Sequence, residues 1–298
     1  MDIKNLKVPK NKVDVVIDSD AYNEVDDQFA IAYALRSKER MNVKAIYAAP
    51  FFNDHSRSAA NGMEQSDNEI LTLLDLLGEK VDTYRGSDAF LADENTPVMS
   101  DAANDLVKRA MEYSPENPLY VLAIGAITNI ASALIIEPKI AEKIVVVWLG
   151  GHAHHYHHNR EFNLKQDIAA ARAVMQSGVP FVQLPCHGVV DAFTVSRLEL
   201  EHLFCGKNAL CDHLAGHAIR EITKERNSEV WTKVIWDVVA VAWFLNDNDR
   251  FMFSRVINAK LPSYDGLYSD EACDNLINYV FAIRRDAIFN DLLEKITK

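Results

Sequence analysis

Five short, almost unbroken apolar runs constrain this chain more than any other feature. They are Val13–Ile17, Val43–Ala48, Leu119–Ile124, Ile144–Leu149 and Phe181–Leu184. Each suits one strand, and each is too apolar to leave a face to water. Strands buried on both faces belong to parallel sheets covered by helices. Helical patterns separate the runs. Gln28–Leu35 is apolar nearly all round and reads as a buried helix. Asn68–Leu77, Asp101–Tyr113, Asn129–Leu134 and Asp167–Gln176 read as further helices. This alternation, which runs as far as Pro185, predicts an α/β fold with a mostly parallel central sheet flanked by helices, of the Rossmann-type open kind.

Beyond Pro185 the pattern turns helical. Glu199–Phe204, Leu210–Arg226 and Asp237–Phe244 are expected helices, and Ala272–Ile296 should hold at least one amphipathic helix. No Gly/Ser linker, internal repeat or low-complexity tract divides the sequence. One domain over residues 1–298 follows, with a mainly helical part from about 186 to 298. A hydrophobic fraction of 49% in 298 residues supplies a sizeable core.

The net charge of −12 argues against a nucleic-acid backbone or an anionic membrane as partner. A cation or a neutral polar small molecule suits it better. Cys186, Cys205, Cys211 and Cys273 form no CxxC pair, so free thiols in a reducing cytoplasm are expected. The opening MDIKNLKVPKNK is basic but has no apolar h-region, and the apolar runs are too short to span a bilayer. A cytoplasmic protein is the expectation.

The stretch DSDAYNEVDD directly follows the first apolar run and crowds Asp18, Asp20, Glu24, Asp26 and Asp27 together. Ligands of open α/β sheets bind at the carboxyl ends of strands, which is where this loop falls. Asp18 and Asp20 share a side if the chain stays extended there, and Asp26 and Asp27 fall in the first turn of the next helix. Helix caps and solvated loop residues are the simpler account. A helix terminus, however, favours an exposed negative charge by only about 0.3–1 kcal/mol, too little to gather this many acids at a buried strand end. A hard divalent cation with oxygen ligands would resolve the repulsion. The loop has no glycine, unlike a phosphate-cradling loop. Asp18-Ser19-Asp20 also suits a Mg2+ phosphatase with Asp18 as nucleophile and Asp20 as acid/base, although Asp26 and Asp27 then go unexplained.

Four stretches in order resemble the inosine–uridine-preferring nucleoside hydrolase family. DSDAYNEVDD is similar to the family's DxDPGxDD, without Pro-Gly and two residues longer. AIGAITNIASAL (123–134) resembles its GPLTNxA element. WLGGHAHHYHHNREFNLKQDIAAARAV (148–174) resembles its GG…EFN…D-AA segment, and KVIWDVVAVAW (233–243) its late aspartate segment. The resemblance implies a Ca2+-dependent hydrolase of the N-ribosidic bond, acting on a ribonucleoside and assembled as a homodimer or homotetramer. By position it makes Asp20 the general base and a metal ligand, Asp27 and Asp237 further metal ligands, and Ile124 a ligand through its carbonyl. Asp26 would bind the ribose hydroxyls, Asp18 would orient the other acids, Glu161 and Asn163 would grip the ribose near its 5′ side, and Asn53 would contact the sugar.

Chemistry agrees with that assignment. Ca2+ takes about six to eight oxygens, so three aspartates and a carbonyl leave places for a water and a vicinal diol. Water attacking C1′ directly implies inversion through an oxocarbenium-like state. Where many relatives carry a histidine before the late aspartate, this chain has Trp236, whose indole can stack on a base and leans toward purines. Core packing of Trp236 is the plainer alternative. A protein that binds nucleoside or ribose without hydrolysing it is a rival from another class.

His152, His154, His155, His157 and His158 lie close together, but no cysteine or carboxylate spacing completes a zinc motif, so a solvated loop is expected. His155 or His158 is the candidate leaving-group acid. Thr128 and Asn129 read as caps of the next helix, and Cys186-His187 as packing rather than a nucleophilic pair.

Overall fold

The computed structural model describes residues 3–298. The strands are β1 (Val13–Ser19), β2 (Met41–Ala48), β3 (Asp82–Arg85), β4 (Leu119–Ala123), β5 (Ile144–Leu149), β6 (Phe181–Leu184), β7 (Thr194–Ser196), β8 (Thr232–Val234), β9 (Met252–Asn258) and β10 (Leu276–Ile283). Eight of them form one sheet in the order β3-β2-β1-β4-β5-β6-β10-β9, and β7 pairs with β8 in a small antiparallel ribbon. Every pairing in the main sheet is parallel except that of the edge strand β9 with β10. The chain thus forms a single α/β domain around a mostly parallel sheet.

The helices are α1 (Asp27–Arg36), α2 (Ala59–Leu77), α3 (Asp101–Ala110), α4 (Thr128–Ile136), α5 (Phe162–Gln166), α6 (Ile168–Gln176), α7 (Arg197–Glu199), α8 (Ala209–Arg226), α9 (Val238–Phe244) and α10 (Arg285–Ile296). α7 runs directly into a π-helical turn over Leu200–Phe204. Strand periodicity sends alternate side chains to two cores. Val15 and Ile17 of β1 pack with α1, α2, α8, α9 and α10, while Val16 packs with α3, α4 and α6. β5 divides likewise, with Val145, Val147 and Leu149 on one side and Ile144, Val146 and Trp148 on the other. Two buried faces explain why these strands read as continuous apolar runs.

All five expected strands form, with β1 running on through Ser19 and β4 ending at Ala123. α2 starts at Ala59, well before Asn68, because Ser58 caps it: the Asn61 N–H donates to Ser58 Oγ at 3.1 Å. α3 stops at Ala110 rather than Tyr113. The part from 186 onward, expected to be mainly helical, also carries strands β7 to β10. β9 is a polar edge strand containing Ser254 and Arg255. The apolar run of β10 continues almost directly into the amphipathic pattern of α10, so periodicity merges the two. No described helix is long and apolar enough to cross a membrane.

From β1 the chain builds outward through β2 to β3, then returns to add β4 on the other side of β1. That reversal opens a crevice beyond the carboxyl ends of β1 and β4, the place where open α/β sheets bind ligands.

Candidate active site

The ends of β1 and β4 are held side by side there. The Ile124 N–H donates to the Asp18 carbonyl at 2.8 Å, and the Ala49 N–H donates to the Ser19 carbonyl at 2.8 Å. Gly125 follows, packed so closely that a Cβ on it would lie 3.1 Å from Asp20 Oδ1 and 3.0 Å from Ala49 Cβ. The Ile124–Gly125 turn and the Asp20 carboxylate are therefore immediate neighbours.

Asp18, Asp20, Asp26, Asp27 and Asp237 are all buried. They are not serving as caps. Asp26 stands at the N-cap of α1 but makes no capping bond, and its Oδ2 accepts the Trp236 N–H at 3.0 Å instead. Ser19 Oγ donates to Asp27 Oδ1 at 2.5 Å. Asp237 begins α9, also without a capping bond. Asp26, Asp27 and Asp237 each present an oxygen within 4.8 Å of the others'. Neither carboxylate oxygen of Asp20 has a hydrogen-bond partner, and Asp18 Oδ2 lacks one too.

Orphaned buried carboxylates are costly, and the acidities register this. Burial lifts Asp18 to about 7 despite its bond to Asn129. Burial, then the neighbouring Glu24, lifts Asp26 to about 6, against the pull of Lys233. Burial first and mutual repulsion second push Asp20, Asp27 and Asp237 well above the usual carboxylate range. Glu24 itself turns to Lys233, with which it pairs. An oxygen-only set with unsatisfied lone pairs is the donor chemistry of a hard divalent cation, so these residues fit one.

One cavity gathers Asp20, Asp26, Asp27, Ile124, Glu161, Asn163, Trp236 and Asp237. Two expected residues lie outside it. Asp18 sits beneath, bound by Asn129 Nδ2 at 2.8 Å. A nucleophile facing a phosphate would need to line the cavity, so the phosphatase arrangement built on Asp18 does not form. Asn53 lines a neighbouring groove and reaches the cavity only through Asn23, whose Oδ1 accepts from Asn53 Nδ2 at 2.6 Å. Asn23 lines the cavity directly.

On the EFN side, Glu161 caps α5. It accepts the N–H groups of Gly151, Asn163 and Leu164, each at 2.9 Å. The Cys186 thiol adds a fourth contact, so the roughly four lone-pair sites of this carboxylate are already taken. Asn163 Nδ2 donates to the carbonyls of Ile124 (3.2 Å) and Leu149 (3.0 Å), which leaves its Oδ1 for a hydroxyl.

Rings supply another part of the lining: His152, Tyr156, His158, His187 and Trp236. The histidine loop is therefore only partly a solvated one, since His152 is buried and His155 and His157 are exposed. His155 is not on the cavity wall, which removes it as a leaving-group acid. Thr128 and Asn129 do not cap α4 either; Ile127 holds that place without a side-chain bond. Thr128 Oγ1 donates to Asp167 Oδ2 at 2.8 Å, and Asn129 ties Asp18 to Ser87. Asn129, Asn23 and His187 are the site residues that sequence reasoning passes over. Cys186 is buried, with its thiol held protonated by burial and by Glu161.

Fold and site together define a single-domain α/β protein with an acidic pocket at the switch point of its sheet, lined in part by oxygens and in part by rings. Comparison with known proteins gives that class its family. The profile of the inosine-uridine preferring nucleoside hydrolases matches residues 15–271, and the chain belongs to that family. A pyrimidine-specific ribonucleoside hydrolase from Citrobacter koseri is 30% identical over 183 residues, covering 53% of this chain and 55% of that protein. The chain thus spans about half the length of this curated relative. Among solved structures, a purine-preferring ribonucleoside hydrolase from Gardnerella vaginalis superposes with a TM-score of 0.74 at 19% identity, covering 95% of this chain and 98% of that one. A plant nucleoside hydrolase gives 0.73 at 18% identity, covering 97% and 99%. At such identities the structural likeness speaks for the fold alone.

Proposed function

We propose that this protein hydrolyses the N-ribosidic bond of a ribonucleoside, releasing ribose and the free nucleobase. The observation that carries the reading is the Asp20 carboxylate, buried with both oxygens unpartnered, beside three further acids and the turn at the end of β4. Asp20, Asp27, Asp237 and the Ile124 carbonyl would hold Ca2+, with Asp18 steadying the set through Asn129. When bound, the ion supplies a hard electrophile that acidifies water and favours a vicinal diol.

The remaining steps belong to the chain. Asp26 accepts hydrogen bonds from the ribose hydroxyls. Asn163 holds the 5′ end through its free Oδ1, and Glu161 fixes the turn of α5 that carries it. Asp20, whose own basicity is raised by its surroundings, removes the proton of the attacking water. Positive charge develops on the sugar ring as the C1′–N bond breaks, and the surrounding carboxylates stabilise it. Attack on the face opposite the base inverts C1′. Trp236 stacks on the departing base, and we infer a purine preference from its flat area.

Ribose release from inosine, guanosine, adenosine, uridine and cytidine, with calcium and with EDTA, tests the reading. Calcium-dependent release is expected, fastest from a purine nucleoside. Asp20→Asn should lower kcat by about 10²-fold or more, the usual scale for a general base, with no loss of thermal stability in chelator. Tight nucleoside binding without any base release would select a binding protein instead.

A further inference from the structure

Hydrolysis of a nucleoside needs a proton for the departing base as well as a water for the sugar, and the acids just described supply only the second. With the ribose held among the carboxylates, the base would lie against the ring-bearing part of the lining. Three histidines belong to that part: His152, His158 and His187.

Their partners separate them. His152 accepts the His187 backbone N–H on Nδ1 at 3.3 Å, and it is buried, which keeps it neutral down to a pH of about 4. His158 accepts the Arg160 N–H on Nδ1 at 3.1 Å. Among the described residues, neither ring hydrogen-bonds a carboxylate. His187 does: its Nδ1 lies 3.4 Å from Asp191 Oδ2, and that oxygen is itself anchored by the Gly188 N–H at 3.0 Å. A carboxylate facing Nδ1 orients the ring. Gly188 has φ +91°, a left-handed conformation that favours glycine and brings its N–H round to Asp191.

Ring packing holds the imidazole in place. It stacks on Tyr156 at 5.3 Å with an interplanar angle of 14°, and meets Trp236 edge to face at 5.3 Å and 88°. Nε2 of His187 has no hydrogen-bond partner among the described residues, and the side chain is 44% exposed, so solvent can return a proton to it. A base stacked on Trp236 would lie beside a histidine oriented by a carboxylate and open to water.

We propose that His187 is the acid that protonates the leaving nucleobase, with Asp191 as its positioning residue. The inference rests on the hydrolase reading above. As the C1′–N bond breaks, its electron pair passes to the base and a base nitrogen or oxygen takes the proton from His187 Nε2. Water's oxygen bonds to C1′, its proton goes to Asp20, and solvent returns one to His187.

The test compares two leaving groups in wild type, His187→Gln and Asp191→Asn. One is whichever of inosine, guanosine, uridine and cytidine the wild type cleaves fastest. The other is 4-nitrophenyl β-ribofuranoside, whose phenolate departs without a proton. His187→Gln should lower kcat on the nucleoside by about 10²–10⁴-fold, the range for a lost general acid, while the nitrophenyl riboside changes by less than about threefold. Asp191→Asn should lower the nucleoside kcat by a smaller factor, with KM unchanged and the nitrophenyl rate intact. Equal losses on both substrates, or no loss on either, would overturn the assignment. If the wild type releases neither base nor nitrophenolate, the hydrolase reading itself falls and the role of His187 with it.

Discussion

Replacing Asp18 with asparagine should stabilise the chelated protein by an amount that depends on pH. Asp18 is fully buried, takes one N–H from Asn129 at 2.8 Å and leaves its second oxygen without a partner. Burial raises its carboxyl from 3.8 to about 7. Below the lower value both folded and unfolded chains hold the proton, and the group is neutral in each. As pH rises between the two, the unfolded chain ionises first, so the folded state loses ground until about pH 7, where the loss is complete. A shift of that size corresponds to roughly 4 kcal/mol. Asparagine keeps the acceptor for Asn129 and never ionises, so the variant escapes the loss. For a chain this long, about 2 °C in Tm per kcal/mol is a fair conversion. The Tm gap in favour of the variant should therefore widen by about 8 °C between pH 4 and pH 8. Thermal melts of both proteins in EDTA across that range provide the assay. Packing differences add a constant offset, so the slope is diagnostic. With saturating calcium the slope should flatten, because the wild-type acids then have a cation among them. Parallel curves in EDTA would refute the account of Asp18 as a charge kept unpaired by burial.

Other outcomes follow from the same geometry. Exhaustive chelation should abolish ribose release and calcium should restore it; rates indifferent to EDTA would remove the metal from the reading. Asn129→Ala withdraws the hydrogen bond that steadies Asp18 and should weaken calcium binding by about 10–100-fold, measured by calorimetric titration. Gly125→Ala places a methyl within 3.1 Å of Asp20 Oδ1, so it should lower kcat at least tenfold with little change in Tm; full activity would show that Asp20 can give way.

Much of this was legible before any coordinates. Strands buried on both faces advertise themselves as unbroken apolar runs, and β1, β2, β4, β5 and β6 are of that kind. β3 and β9 are the two edge strands, where polar residues are tolerated, and their sequences carry no such signature. The acidic loop stood out because so many charges at a strand end demand a counterion. What the sequence could not reveal were partnerships across the sheet. Asn129 looks like a helix cap until β1 is found beside β4 and its amide meets Asp18. Asn53 looked plausible as a sugar contact, yet Asn23 stands between it and the cavity. His187, next to Cys186, gave no local reason to expect Asp191 on one side of its ring and Tyr156 and Trp236 on others.

Trp236 reaches Asp26 through its main chain, whose N–H donates to that carboxylate. Any residue other than proline can make that bond. On the proposed reading, a new side chain at 236 would change the surface offered to the base and the ring packed on His187, while the N–H that Asp26 accepts would remain. On that reading, sugar recognition and base recognition would meet at one peptide unit.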